Sequence, residues 1–371
     1  MWPPQEKIYY STLFVMFAGV FYTALTLLCW RNVLETSLHD LKKTKYVNIS
    51  AGIPMTYRLF SSASSEVNII PAGKLPVFIT SYKSDFQTGV LEVDFQNHSM
   101  HHLLFVRGEL VNVYRYTDRI ERLTPTSWLQ SVDTSKGKAH LRALALTPQA
   151  IRLVKILLEQ TETQPYTLPD SMTLEQQFQT WRQHPVPALA HIRWPKAEAL
   201  ALLPGGGSPP HYTLFLSENQ ILHSAGGMMA LYGWKETCTS VNLLTSEAHT
   251  PAWDEYLLYY SFGWMASRLL ERLVELTGPG MIHSIVREIN FAASTHGWNL
   301  SFSGTNLTDQ TLFSSPLEAA DAYSRLFEIL FRHMDTILGS DLLAILMRES
   351  ALQLSKPYRS VMQEYLLITP V

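Results

Sequence analysis

Two short apolar runs on either side of a glycine turn constrain the fold of this chain most strongly. Leu103–Val106 and Leu110–Tyr114 flank the tripeptide Arg107-Gly108-Glu109. Glycine adopts positive φ at little steric cost, and charged neighbours are typical of a solvent-facing hairpin tip. We therefore predict an antiparallel hairpin in which Gly108 is required by the turn, while Arg107 and Glu109 are exposed.

A third strand is predicted immediately upstream of this hairpin. Gly89–Phe95 alternates apolar and polar residues, as a half-buried strand does. The residues between, Gln96–His102, would form a polar loop, and Gly89 would be a structural turn residue like Gly108. Together the three strands make a small antiparallel meander.

The histidines of that predicted loop are the most conspicuous candidate metal ligands. Three imidazoles, those of His98, His101 and His102, offer the nitrogen ligands that zinc or nickel accepts. Adjacent residues of a strand point to opposite faces, however, so His101 and His102 would not easily turn to one ion. No cysteine completes a set, and Asp94 is the nearest carboxylate. We therefore expect neither a metal nor any other cofactor.

A second unit of similar pattern follows a proline-containing boundary at 161–169. A helix over Thr147–Glu159, capped by Thr147, ends the first unit, and a helix over Ser171–His184, capped by Ser171, begins the second. Thr213–His223 then resembles Leu103–Asn112, because both place an apolar strand with a Leu-Phe pair before a polar turn and a second apolar strand. This likeness suggests an internal duplication.

Two glycine-rich stretches in the second unit do not indicate a phosphate site. Gly205-Gly206-Gly207 is followed by two prolines and a predicted strand, whereas a phosphate-binding loop must begin a helix. We predict a plain loop there, and we expect the pair Gly226-Gly227 to end the second meander.

The last third of the chain is predicted to be a helical bundle. Apolar residues recur at helical spacing through Asp254–Leu276, and Gly278 ends that helix. Ser315 is a candidate cap for a later helix, with Pro316 at its first position and Glu318 reaching back. No nucleophile elbow or other catalytic constellation occurs in the sequence, so we expect a protein that is not an enzyme.

The N-terminal segment predicts a membrane anchor. Tyr9–Trp30 contains 22 residues without a charge, enough helix for a hydrocarbon core about 30 Å thick. Basic residues follow it, which places the C-terminal side in the cytoplasm of a single-pass protein: Arg31, Lys42, Lys43 and Lys45. A chain that begins at Met55 instead would be cytoplasmic without this anchor.

The predicted fold class is therefore α+β, with two antiparallel meander and helix units, a helical bundle and an N-terminal transmembrane helix. The boundaries are an anchor at 1–30, a linker at 31–74, α+β units at 75–161 and 171–240, and the bundle at 253–371. Charged residues make up 16% of the chain against about 25% in an average soluble protein, which indicates apolar surface facing lipid or a partner. A net charge of −3 excludes a strong electrostatic case for nucleic acid.

Residues 75–160 resemble the PATAN-type domains of bacterial signalling proteins. The residues that carry the resemblance are Thr88–Val93 and Leu104–Val111, which show Gly-x-Leu, a strand, and then an apolar-Phe-x-x-Gly-x-apolar-Val pattern. The second meander is similar more faintly, since Ser217–Gln220 lacks the glycine. The resemblance implies a regulatory module that acts through protein contacts, and it transfers no catalytic residues.

Two functions are compatible with these features. The first is a non-enzymatic signalling adaptor whose partner is a two-component or small-GTPase signalling protein, contacted through Arg107, Glu109, Trp253 and Trp264. The alternative is a small-molecule sensor with a pocket between the meanders and the helices. That pocket would be lined by His191, Trp194, Trp253 and Trp264.

Overall fold

A computed structural model describes residues 67–85, 87–95, 99–117, 120–132, 137–160, 173–218, 220–365 and 367. The predicted membrane anchor at 9–30, most of the predicted linker and His98 lie outside these residues. Among the described residues, no helix combines the length and the apolar character needed to span a bilayer. The α+β class with antiparallel sheets is confirmed.

The first unit is a six-stranded antiparallel sheet with three helices. Its strands lie in the order β1-β6-β2-β3-β4-β5. The predicted hairpin is β3 and β4, and the strand upstream is β2. The elements are β1 (Val67–Pro71), α1 (Leu75–Ser84), β2 (Gly89–Asp94), β3 (Met100–Val106), β4 (Glu109–Tyr116), β5 (Ile120–Leu123), α2 (Pro125–Ser131), β6 (Lys138–Ala145) and α3 (Pro148–Glu159).

The second unit is a five-stranded antiparallel sheet, also with three helices. Its strands lie in the order β10-β9-β8-β7-β11. The elements are α4 (Leu174–Arg182), β7 (Ala188–Arg193), β8 (Ala197–Leu203), β9 (Tyr212–Ser217), β10 (Gln220–His223), α5 (Ser224–Gly233), β11 (Ser240–Thr245) and α6 (Pro251–Thr277).

The two units share one order of elements. Each has a leading helix, a four-stranded meander, a second helix, a fifth strand paired with the first strand of the meander, and a closing helix. In this order the β3–β4 hairpin corresponds to β8–β9. The sequence comparison matched the first hairpin, Leu103–Asn112, with Thr213–His223, which forms β9 and β10. That match is therefore wrong by one strand. An apolar Leu-Phe pair fits several strands of a buried meander, so it does not define the register.

The units share a core around α3. One sheet packs its outer face on α1 and α2, the other on α4 and α5, and the remaining two faces contribute to one cluster with α3 and α6. Nine of the 12 residues of α3 are buried, because this helix contacts β2 of the first sheet, β7 and β9 of the second, and α6.

The C-terminal third is helical, but it also contains a hairpin that the sequence prediction missed. The elements are α7 (Ile282–Thr295), β12 (Leu300–Ser303), β13 (Asn306–Asp309), α8 (Pro316–Leu338), α9 (Ser340–Gln353) and α10 (Lys356–Glu364). Each strand has only four residues, and Gly304 adopts a φ of +62° in the turn between them. The hairpin packs beside α6 and α7, so the bundle is not purely α-helical.

Most of the predicted helix starts are confirmed by their caps. The Thr147 hydroxyl accepts a hydrogen bond from the Ala150 amide at 3.2 Å, and the Ser315 hydroxyl accepts one from the Glu318 amide at 3.2 Å. The cap of α4 is Thr173 rather than Ser171, in a reciprocal pair with Gln176. A threonine followed three residues later by glutamine satisfies two amides at once, which explains this start.

Candidate functional site

Two of the candidate metal ligands, His101 and His102, do not converge on a common site. Because β3 begins at Met100, His101 and His102 lie within the strand and not in a loop, and they face opposite sides of the sheet. The ring nitrogen Nδ1 of His101 accepts the indole N–H of Trp128 at 2.6 Å, and burial together with Arg115 lowers the pKa of His101 to about 4. His102 is buried 3.6 Å from Glu92. No group of three potential ligand residues occurs within the described part of the chain.

The two glycines predicted to be structural have different roles. Gly108 adopts a φ of +83° in the β3–β4 turn, and a Cβ added there would lie 2.5 Å from the Lys83 carbonyl oxygen. Its neighbours Arg107 and Glu109 are exposed. Gly89 is the first residue of β2 and not part of a turn. An added Cβ would lie 2.0 Å from the Leu144 carbonyl oxygen, so Gly89 is required by the close approach of β6.

The glycine pair at 226–227 lies inside a helix. Both residues belong to α5, so the prediction that they end the meander is wrong. A Cβ at Gly227 would lie 2.8 Å from the Thr213 carbonyl oxygen, which shows that α5 packs closely on β9. The stretch Gly205–Gly207 forms a loop, as expected.

The four residues proposed to line a sensor pocket do not lie together. His191 is buried on one face of the second sheet, 3.4 Å from Glu198, whereas Trp194 belongs to the core on the other face. Trp253 is fully buried and donates its indole N–H to Gln160 at 2.6 Å, so it offers no partner surface. Trp264 borders a cavity, and the other three residues are not among those that line it. Indole size and spacing do not reveal which aromatic residues are exposed.

A buried ion network joins the first unit to α6. Glu255 of α6 accepts hydrogen bonds from Lys155 and, at 2.9 Å, from Arg122. Arg122 also reaches Glu159 at 2.9 Å, and Glu159 accepts the phenol O–H of Tyr114 at 2.6 Å. The side chain of Lys155 is 2% exposed. Four charged groups thus compensate one another at a junction of β5, α3 and α6.

Burial and the neighbouring charges act in opposite directions on the two cations of this network, and the balance differs between them. Burial prevails at Lys155. It lowers the pKa of Lys155 despite the adjacent Glu255 carboxylate. For Arg122, the phenol of Tyr114 and the two carboxylates outweigh burial and raise its pKa. Buried charges of this kind are stable only as a compensated set, so we assign the network a structural role.

An open groove runs along the exposed face of α6. The cavity has a volume of about 340 Å³. Seven residues of α6 line it in two rows, and the tip of the β12–β13 hairpin forms the opposite wall. The lining residues are Tyr259, Gly263, Ser267 and Glu271 in one row, Tyr260, Trp264 and Arg268 in the other, and Asn306 and Leu307 on the hairpin.

The aromatic side chains of the groove are held in place from behind. The guanidinium of Arg152 lies 3.8 Å from the ring centroid of Tyr259. The ring of Tyr260 stacks on His211 with centroids 4.5 Å apart and contacts Tyr358 at 4.6 Å. Since their positions are fixed by these contacts, the rings present a preorganised surface.

Small residues and an ion pair complete the groove. Gly263 lies beneath the hairpin, because a Cβ there would approach Leu307 to 3.0 Å. At the far end, Arg268 and Glu271 form a salt bridge of 3.2 Å that is open to solvent. The groove is therefore aromatic at one end and charged at the other.

Comparison with known proteins gives no further guide to the site: no family model, no curated protein and no solved structure matches the chain.

Proposed function

We propose that the protein is a non-enzymatic regulatory adaptor that binds a protein partner in the α6 groove. The observation that carries this proposal is the aromatic surface of Tyr259, Tyr260 and Trp264, in which contacts from behind preorganise the two tyrosine rings. Tyrosine and tryptophan that are already fixed in position are typical of residues that dominate binding energy, because little side-chain entropy is lost on association.

The shape of the groove favours a helical segment of the partner. From Tyr259 to Glu271 the groove follows 13 residues of α6, and the first and last lie about 18 Å apart at ~1.5 Å per residue. Gly263 and Ser267 have small side chains or none, so they leave space in the groove above α6. An amphipathic helix of three turns would place apolar residues in the aromatic end and a charged residue near Arg268 and Glu271.

Replacement of Trp264 by alanine tests this proposal. A tagged full-length chain is expected to recover a discrete protein from its native cells, and Trp264→Ala is expected to reduce that recovery at least tenfold. Truncation of a central aromatic anchor commonly weakens binding by 2 kcal/mol or more, or roughly 30-fold. Quantitative mass spectrometry of the recovered proteins makes the measurement.

The matched control for this variant is Phe291→Ala. Phe291 lies on α7, outside the groove, and is 72% exposed. The Phe291→Ala substitution removes more exposed apolar surface than Trp264→Ala does, but it does not change the groove. Recovery of the partner should therefore stay at the wild-type level. Equal recovery by all three chains, or no protein above background, would refute the proposal.

The cavity volume favours a second candidate, a small-molecule sensor that uses the same groove. About 340 Å³ lies at the lower end of the range of small-molecule sites, roughly 300–1,000 Å³. A ligand that binds only the folded state raises the melting temperature by mass action. A metabolite that does so for the wild type and for Phe291→Ala, but not for Trp264→Ala, would establish this function instead.

We also propose that residues 9–30 anchor the chain in the cell membrane with the α+β units in the cytoplasm. This rests on the uncharged run of 22 residues and on the basic residues that follow it. The full-length chain is expected to stay with membranes after alkaline carbonate extraction, and a chain starting at Met55 is expected to be released. Release of both chains would overturn the proposal.

A further inference from the structure

The two sheets differ at one edge, although their units have the same order of elements. In the first sheet, β6 pairs with β2 on one side and with β1 on the other. The corresponding strand of the second sheet is β11, which pairs with β7 on one side. Among the described residues, no strand occupies its other side.

The register of β11 shows which of its backbone groups face this open edge. The Ser246 amide donates to the Pro187 carbonyl at 2.9 Å, and the pairing continues as Leu244 with Leu189 and Asn242 with His191. Hydrogen-bonded pairs alternate along an antiparallel ladder. The N–H and C=O groups of Val241, Leu243 and Thr245 therefore point away from β7.

The first sheet shows how such an edge is completed in this chain. The Ala72 amide donates to the Gly137 carbonyl at 3.1 Å, so the alternation pairs Ile70 with Ala139 and Asn68 with Leu141. Ile70 of β1 also packs against the core on the α1 side of that sheet. An edge strand thus supplies both backbone partners and one apolar side chain.

The core beside β11 is incomplete in the corresponding place. Leu243 of β11 and Cys238 just before it are only partly buried where they pack against the cluster between the second sheet, α4 and α5. An additional strand with an apolar residue opposite Leu243 would cover this margin, as Ile70 does in the first sheet.

We propose that the outer edge of β11 binds an extended segment of a partner protein as an antiparallel sixth strand. The segment would alternate apolar and polar residues, with its apolar side chains toward Leu243. Strand addition of this kind derives its affinity from main-chain hydrogen bonds and its specificity from alternate side chains. This surface is separate from the α6 groove, so either binding proposal can be refuted without affecting the other.

The segment that precedes α4 is disfavoured by its sequence as the strand that would cover this edge. Residues 161–172 precede α4 as β1 precedes α1, but they contain Pro165 and Pro169 and no valine or isoleucine. Proline lacks the N–H that a ladder requires, and β-branched apolar residues are those that strands favour. The β1 segment, Val67-Asn-Ile-Ile-Pro71, has the opposite composition.

Hydrogen exchange on the isolated full-length chain is the first test. About half of the amides of residues 240–245 are expected to exchange rapidly, because those of Val241, Leu243 and Thr245 have no strand partner in the described part of the chain. Amides of residues 139–142, which β1 and β2 hold between them, are expected to exchange slowly. Uniformly slow exchange across 240–245 would mean that the chain covers its own edge and would overturn the proposal.

Selection from a phage library of random twelve-residue linear peptides is the second test. Selected peptides should alternate apolar and polar residues, slow the exchange of 240–245, and bind Leu243→Pro at least tenfold more weakly than Leu243→Ala. Both variants remove the side chain, but only proline removes the outward N–H, and proline is tolerated on an edge strand. Thr245→Pro, which also removes an N–H that points away from β7, provides a second variant if Leu243→Pro does not fold.

Equal binding to the proline and alanine variants would overturn the proposal, as would a selection that yields no peptide protecting residues 240–245. Neither result depends on Trp264, so these experiments test the β11 edge alone. The α6 groove is tested separately by Trp264→Ala.

Discussion

Glu255→Gln is expected to destabilise the folded chain by about 3–5 kcal/mol, the usual range when one partner of a buried ion pair is removed. Glu255 receives hydrogen bonds from Lys155 and Arg122, and the Lys155 side chain is almost fully buried. The amide has nearly the same shape, so the loss comes from two cations left without their shared carboxylate. Urea unfolding followed by circular dichroism gives the change in free energy.

Glu275→Gln is the matched control on the same helix. Glu275 pairs with Arg272 at 2.5 Å, but both side chains are exposed, at 52% and 37%. Exposed pairs contribute about 0–1 kcal/mol, so this variant should unfold close to the wild-type midpoint. Equal effects of the two substitutions would show that the network at Lys155 does not hold α6 to the first unit.

Gly108→Ala is expected to lower the free energy of unfolding by about 2–5 kcal/mol. A left-handed φ costs a residue with a Cβ roughly 1–2 kcal/mol, and overpacking adds about 1–3 kcal/mol. Both terms apply, because Gly108 has a φ of +83° and its added Cβ would lie 2.5 Å from the Lys83 carbonyl. The backbone of Lys83 at the end of α1 cannot rotate aside as a side chain would. Chemical denaturation again provides the measurement.

Gly206→Ala separates the two terms. Gly206 also has a positive φ, +63°, but nothing lies within 4 Å of its added Cβ. Gly206→Ala should therefore lower the free energy of unfolding only by the conformational cost of a positive φ, about 1–2 kcal/mol. If both alanine variants lose the same amount, the close contact between the hairpin tip and α1 has no energetic weight.

Local sequence signals were sufficient for the parts of the fold that local chemistry determines. The glycine turn at Gly108, the cap at Thr147 and the cap at Ser315 all depend on residues a few positions apart. The strands β5, β12 and β13 were missed because four residues carry too little periodicity. The register between the units was wrong because strand order depends on pairing across the sheet, which no single hairpin encodes.

The candidate site was less predictable than the fold. Trp264 was named from its residue type, but so was Trp253, and only the packing of α3 against α6 decides that Trp253 is buried. The groove also needs the hairpin wall at Leu307, which the sequence reading did not include. Lys155 reads as an ordinary polar residue of a helix, and nothing near it in the sequence indicates burial between two units.

The central claim is that the chain acts by binding a protein partner in the α6 groove, and site-specific photo-cross-linking tests it most directly. Benzoylphenylalanine would replace Glu271, at the open end of the groove, or Phe291 on α7 as the control. Irradiation of cells is expected to give one discrete adduct from position 271, lost when Trp264→Ala is added, and none from position 291. No adduct from position 271, the same adduct from both positions, or an adduct that persists with Trp264→Ala would contradict the claim.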